Sequence, residues 1–323
     1  MNGSSNGTRP SRPLVAGINV PLVAFFHPGS EDIDIEATKK HAIRLAQAGM
    51  TSMTVQGSNG EAVHLAREER NIVTSTVREA LDSAGFTQLP IVVGCAAQSV
   101  RESIQYCKDA YNAGGDYALV LPPSYYKPAY TEKVLLSYFT DLAAESPIPI
   151  IIYNYPGAVS GIDLSSDQII TLAKNPKIIG CKLTCMNTGK LNRIAHAVNA
   201  ATPSNENSGW MCMGGAADFT LQTLIAGGSG IITGVGNVIP KACVKVYELY
   251  KAGKIEEAQK AQAIVARADW AVISGGVVGT KSGLESWYGY GGIARRPLPQ
   301  PSEDEVARYK EMLKEGVEYE NSL

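Results

Sequence analysis

From Val15 to about residue 253, short apolar, β-branched runs alternate with longer amphipathic stretches, and the pattern repeats eight times. Strands separated by helix-length connections must pair in parallel, because a tight turn cannot return the chain to the start of the next strand. The runs at 17–23, 51–56, 90–94, 117–121, 148–153, 178–183, 209–213 and 230–234 read as strands. Helical periodicity fills 35–48, 67–83, 100–113, 131–144 and 165–173, with Asp34 and Ser99 placed as N-caps and Gly49 and Gly114 where C-caps belong. Eight βα units in roughly 240 residues fit a (β/α)8 TIM barrel better than an open doubly wound sheet. No G-x-G-x-x-G fingerprint follows the first strand. Beyond residue 253 only helical patterns remain, over 255–273, 278–288 and 303–318. The expected layout is a disordered tail over 1–13, a barrel over 14–253 and a helical C-terminal extension over 254–323.

The chain has 323 residues, 45% of them hydrophobic, and no apolar run approaches the eighteen or so that span a bilayer. A net charge of -2 supplies no basic field for nucleic acid or anionic lipid, so neither is expected as a partner. Six widely spaced cysteines sit mostly in apolar segments, which suits reduced core thiols and leaves no paired zinc spacing. The first thirteen residues are rich in Ser, Gly, Asn and Pro, a composition that favours disorder over a targeting helix and points to the cytoplasm.

Within this frame one residue is chemically out of place. Ile178-Ile179-Gly180-Cys181-Lys182-Leu183-Thr184 puts a lysine inside an apolar run that reads as a buried strand. An isolated lysine in a strand usually carries its amine out to solvent. Burial instead disfavours the ammonium, freeing a neutral amine that can condense with a ketone, chemistry that needs neither cofactor nor metal.

In a barrel the C-terminal strand ends converge, so distant motifs become neighbours of Lys182. Strand two leads into Gly57-Ser58-Asn59-Gly60-Glu61, a turn whose amides and hydroxyl can cradle a carboxylate. After strand four the Pro122–Pro128 loop presents Tyr125 and Tyr126, and strand five ends in Tyr153-Asn154-Tyr155-Pro156-Gly157. Strands seven and eight end in Gly214-Gly215 and in Ile231-Ile232-Thr233-Gly234. Each has an ordinary structural explanation alone; their joint placement around Lys182 does not.

As a set, G-S-N-G-E, Tyr125-Tyr126, Y-N-x-P at Tyr153–Pro156 and G-x-K at Gly180–Lys182 resemble the class I aldolases of the dihydrodipicolinate synthase and N-acetylneuraminate lyase family, across residues 14 to 320. The resemblance implies that Lys182 forms a Schiff base with pyruvate or another 2-keto acid and that Tyr153 shuttles protons at the reacting oxygen. It implies that Ser58 links Tyr153 to Tyr126, which reaches in from a neighbouring subunit of a homotetramer. Ser58 and Asn59 would hold the keto acid carboxylate, with Gly57, Thr184, Gly214 and Ile232 completing the substrate-binding set.

Two departures narrow the substrate. Where dihydrodipicolinate synthases carry a carboxylate-binding arginine stands Ala158, and where sialic acid lyases carry acidic residues stand Gly215 and Ala216. The remaining pattern resembles the eukaryotic 2-keto-3-deoxy acid aldolases. It implies cleavage of 2-keto-3-deoxy-L-galactonate to pyruvate and L-glyceraldehyde, with a nearly uncharged distal pocket. The alternatives are 4-hydroxy-2-oxoglutarate aldolase, then dihydrodipicolinate synthase, and, outside catalysis, a ligand-binding barrel.

Overall fold

The computed structural model describes residues 11–206 and 208–323. Eight parallel strands close a barrel in chain order: β1 Gly17–Pro21, β2 Ser52–Val55, β3 Ile91–Gly94, β4 Tyr117–Val120, β5 Ile150–Asn154, β6 Ile178–Leu183, β7 Met211–Gly214 and β8 Gly230–Ile232. β8 closes on β1 with Gly230 opposite Gly17, where a side chain on Gly230 would meet the Gly17 carbonyl oxygen at 1.9 Å. Every expected strand is present, with ends within about two residues of those read from the sequence.

The intervening helices are α1 Ile35–Gln47, α2 Arg67–Ser83, α3 Val100–Asn112, α4 Glu132–Glu145, α5 Ser166–Leu172, α6 Thr188–Ala197, α7 Thr220–Ile225 and α8 Pro240–Lys251. Their caps follow the local chemistry. Asp34 accepts from the Ala37 amide at 2.9 Å and Ser99 from the Glu102 amide at 3.2 Å, satisfying first-turn donors. Gly49 and Gly114, just past α1 and α3, take φ of +91° and +102°, a region closed to most side chains.

Alternation along each strand sorts residues between two cores. Ile151, Tyr153, Met211, Met213 and Ile232 point into the lumen, whereas Ile150, Ile152, Cys181, Leu183, Cys212 and Ile231 face the helix layer. All six cysteines are free and five are buried.

The C-terminal extension comprises α9 Ile255–Tyr288 and α10 Glu303–Asn321. α9 is interrupted at Gly276, whose φ of +57° and ψ of -148° break the helix between the two segments expected from the sequence. The chain does turn to pure helix just after residue 253. Ala258, Ala261, Val265, Ala268 and Ala271 nonetheless belong to the same buried cluster as the barrel helices, so the extension shares the barrel's core. At the other end, residues 1–10 of the expected tail lie outside the described residues. Arg12, assigned to that tail, is instead buried: it pairs with Asp116 at 3.2 Å and donates to the Thr87 carbonyl at 2.6 Å. Two such contacts on a buried guanidinium order the chain from before Leu14.

Candidate active site

Parity decides what stands at the barrel mouth. β5 and β6 pair with Tyr153 opposite Lys182, and both side chains lie on the lumen face. Gly180, one step below Lys182 on that face, is held to glycine because a Cβ would sit 2.7 Å from the Met211 carbonyl oxygen. Lys182 is only 4% exposed, its Nζ stands 4.3 Å from the centre of the Tyr153 ring, and no carboxylate pairs with it among the described residues. The ring face supplies a weak cation–π contact, and the amine is left open to a ligand. Tyr155 stacks on Tyr153 with centroids 5.8 Å apart.

A cavity of about 360 Å³ opens over this pair, and Ser58, Asn59, Tyr153, Lys182 and Thr184 all line it. Two polar atoms here, Asn59 Nδ2 and Thr184 Oγ1, are buried without a protein hydrogen-bond partner. Buried donors and acceptors are seldom left unpaired, so these atoms suit a polar ligand. A neighbouring cavity of about 300 Å³ shares Ser58 and Tyr153, and Gly57 and Ala158 line it.

Three expected site residues are placed elsewhere. Gly214 points outward, where a Cβ would meet Thr223 Oγ1 at 2.7 Å and Phe219 at 2.9 Å; Gly215, the next residue, lines the cavity. Ile232 packs inside the lumen with Tyr153 and Met213, one layer below Gly234, which lines the cavity. Tyr126 is 66% exposed, with its ring against Tyr125 at 4.9 Å, and lines neither cavity. Within one chain the Tyr153–Ser58–Tyr126 relay therefore does not close.

Further lining comes from α9 and His64, which the sequence reading did not single out, and from Glu61 of the Gly57–Glu61 turn, and it corrects the expectation of a nearly uncharged pocket. Asp269, Val272, Ile273, Gly276 and Val277 of α9 line the cavity together with Glu61 and His64. The charges are committed to the protein itself. Asp269 is buried and accepts from the amides of Ala217 at 2.6 Å and Asp218 at 3.0 Å, tying α9 to the β7 loop. Burial, reinforced by nearby Asp218, pushes its carboxyl up to about 7. Glu61 is also buried, at a φ of +48°. Its Oε1 accepts from Lys281 Nζ at 2.6 Å, and its Oε2 from the Arg295 amide at 2.9 Å and His64 Nδ1 at 3.1 Å. Burial lowers the Lys281 pKa, against the opposing pull of Glu61.

A second buried network holds the β8 loop. Asn237 donates to the carbonyls of Pro21 at 2.9 Å and Gly234 at 2.8 Å, while its Oδ1 accepts from His41 Nε2 at 2.9 Å. His41 Nδ1 must then accept from Tyr290 Oη, also at 2.9 Å. Burial pushes His41 down to about 3, so the ring is neutral.

Residues 14–316 match the dihydrodipicolinate synthetase family. The chain belongs to that family. It is 56% identical over 313 residues to the probable 4-hydroxy-2-oxoglutarate aldolase, mitochondrial, of Emericella nidulans, covering 97% of this chain and 98% of that one. It is 51% identical over 310 residues to the L-threo-3-deoxy-hexylosonate aldolase of Hypocrea jecorina, covering 96% and 98%. Among solved structures, a dihydrodipicolinate synthase family protein from Coccidioides immitis superposes with a TM-score of 0.85 at 34% identity, covering 97% and 99%. Among the described residues no helix is long and apolar enough to cross a membrane.

Proposed function

We propose that the chain is a Schiff-base aldolase that cleaves 2-keto-3-deoxy-L-galactonate to pyruvate and L-glyceraldehyde. The observation that carries the reading is a buried lysine with no carboxylate partner among the described residues, in register with a tyrosine and facing a cavity lined by Ser58 and Asn59. Lys182 attacks the C2 ketone and water leaves, giving an iminium that draws electrons from the C3–C4 bond. Loss of the C4 hydroxyl proton, relayed through Tyr153, breaks that bond and releases the aldehyde. The enamine left on Lys182 takes a proton at C3 and is hydrolysed to pyruvate and free amine. Ser58 and Asn59 hold the keto acid carboxylate, and Tyr126 completes the relay from a neighbouring subunit in a homotetramer.

The hydroxylated aldehyde is preferred because, among the described residues, the cavity offers a distal carboxylate no free cation beyond Lys182 itself. Position 158 is alanine, and the guanidinium of Arg295 is committed to Glu69 and to the carbonyls of His64 and Glu31. A second reading, 4-hydroxy-2-oxoglutarate aldolase, draws on the Emericella relative's name and on Arg70, which lines the adjacent cavity with Ala158. Arg70 is itself engaged, donating to the carbonyls of Ala62 at 2.9 Å and Gly94 at 2.5 Å. We place the protein in the cytoplasm; the Emericella relative carries a mitochondrial name.

Borohydride added with pyruvate should inactivate the enzyme and leave a reduced pyruvyl adduct on Lys182, and Lys182→Ala should fold yet neither trap pyruvate nor turn over. An adduct on another lysine refutes the mechanism. A panel of 2-keto-3-deoxy acids and 4-hydroxy-2-oxoglutarate, scored by pyruvate release, decides the substrate; a preference for the dicarboxylate overturns the first reading.

A further inference from the structure

Glu61 and His64 form an oriented pair whose free end faces the ligand space. Glu61 is buried and its carboxylate is held by Lys281 and the Arg295 amide, so it is fixed in place before any ligand arrives. An ionised carboxylate only accepts hydrogen bonds, so the 3.1 Å contact makes His64 Nδ1 the donor. With Nδ1 turned to Glu61, Nε2 is the ring nitrogen left to face a ligand. Nε2 has no protein partner among the described residues and is not sealed from solvent. The ring lines the same cavity as Lys182 and keeps 18% of its side-chain surface exposed. What stands ready there is an oriented imidazole nitrogen facing the ligand space.

We infer that His64 is a specificity-determining residue whose Nε2 accepts a hydrogen bond from the C5 or C6 hydroxyl of a 2-keto-3-deoxy acid joined through C2 to Lys182, hydroxyls that 4-hydroxy-2-oxoglutarate lacks. The inference rests on the aldolase reading above and names the group that reads the distal half. A hydroxyl supplies the proton that this acceptor needs. A carboxylate supplies only lone pairs, which face the Nε2 lone pair unfavourably. Selection for a hydroxylated end thus has a positive element, separate from the alanine at position 158. Lys281 and Arg295 act one step back, as positioning residues that hold Glu61 and through it the tautomer of His64.

The decisive variant is His64→Asn, because the asparagine Nδ2 takes roughly the place of the histidine Nδ1. It preserves the donor to Glu61 while removing the Nε2 acceptor. Borohydride trapping of pyruvate on Lys182 should proceed as in the wild type, since pyruvate has no distal half. The kcat/KM for 2-keto-3-deoxy-L-galactonate should fall at least roughly tenfold while that for 4-hydroxy-2-oxoglutarate changes by less than about threefold. His64→Gln, whose amide oxygen reaches toward the Nε2 position, should recover part of the loss. Equal losses on both substrates, or loss of pyruvate trapping in His64→Asn, would overturn the inference by placing His64 in the keto acid cradle or in the fold. Failure of the aldolase reading would show in the wild-type enzyme, as absent trapping or absent cleavage, and the inference would fall with it; failure of the inference alone shows only in the variants.

Discussion

Replacing Lys281 by methionine tests whether the C-terminal extension holds the cavity in shape. The ammonium makes two short bonds, to Glu61 Oε1 at 2.6 Å and to the Ile293 carbonyl at 2.5 Å, between side chains that are 2% and 1% exposed. Methionine keeps most of the buried volume but leaves the Glu61 carboxylate without its counter-ion. Breaking a buried pair from one side costs about 3–5 kcal/mol, because the remaining charge is stranded. Glu61 retains the Arg295 amide and His64 Nδ1 as donors, which places the expected loss near the lower end, at about 3 kcal/mol. The measurement is the shift in urea midpoint, taken with Glu61→Gln and the double variant to complete a cycle. Glu61→Gln removes the stranded charge, so the double variant should be more stable than the two single losses combined, with a coupling of about 2 kcal/mol. Lys281→Met within about 0.5 kcal/mol of the wild type, or a coupling near zero, would show that the pair does not hold the loop, and the positioning role given to Lys281 would go with it.

Asp269 predicts a pH dependence of stability. Its carboxyl titrates near 7 when folded against an ordinary value of 3.8, so its contribution is full below about pH 4 and is lost as pH rises to about 7. Relative to Asp269→Asn, the wild type should lose up to about 4 kcal/mol across that window, read from urea midpoints; a difference that stays constant with pH removes burial of this carboxyl as the cause. Gly215→Ala should be poorly tolerated, because its Cβ would lie 2.0 Å from Thr184 Oγ1 and 2.6 Å from Thr184 Cα, beside the ligand space. We expect about 3 kcal/mol of destabilisation together with a drop in kcat/KM; wild-type values for both would mean that the loop yields freely.

The barrel is legible in this chain because its information is local. Strand parity, helix period and capping residues such as Asp34 and Ser99 each act within a few positions, and the structure uses them where they stand. Lys182 is legible for the opposite reason, as a violation of the local rule in an apolar strand. The misplacements of Gly214 and Ile232 are also local and could have been avoided. Lumen-facing positions recur every second residue, so the face that carries Met211 and Met213 continues to Gly215, and the one that carries Ile232 continues to Gly234.

The rest of the site depends on contacts that no window of sequence contains. Lys281 meets Glu61 across 220 positions, and Asp269 reaches the Ala217 amide across 52. Each becomes a neighbour only when α9 crosses the barrel mouth and breaks at Gly276. An expectation of an uncharged pocket follows naturally from motifs at the strand ends, since those motifs stop at the barrel. The extension then adds Asp269, whose carboxylate is spent on backbone amides, and Lys281, whose ammonium takes up the carboxylate of Glu61 from the β2 loop. On the proposed reading chemistry and selectivity have different origins: the strand ends supply the amine and the phenol, while the helices that follow the barrel fix which groups lining the cavity are left for a ligand. By that logic, variation among relatives in the β6 strand should change whether the reaction occurs, and variation in α9 and around His64 should change only what is cleaved.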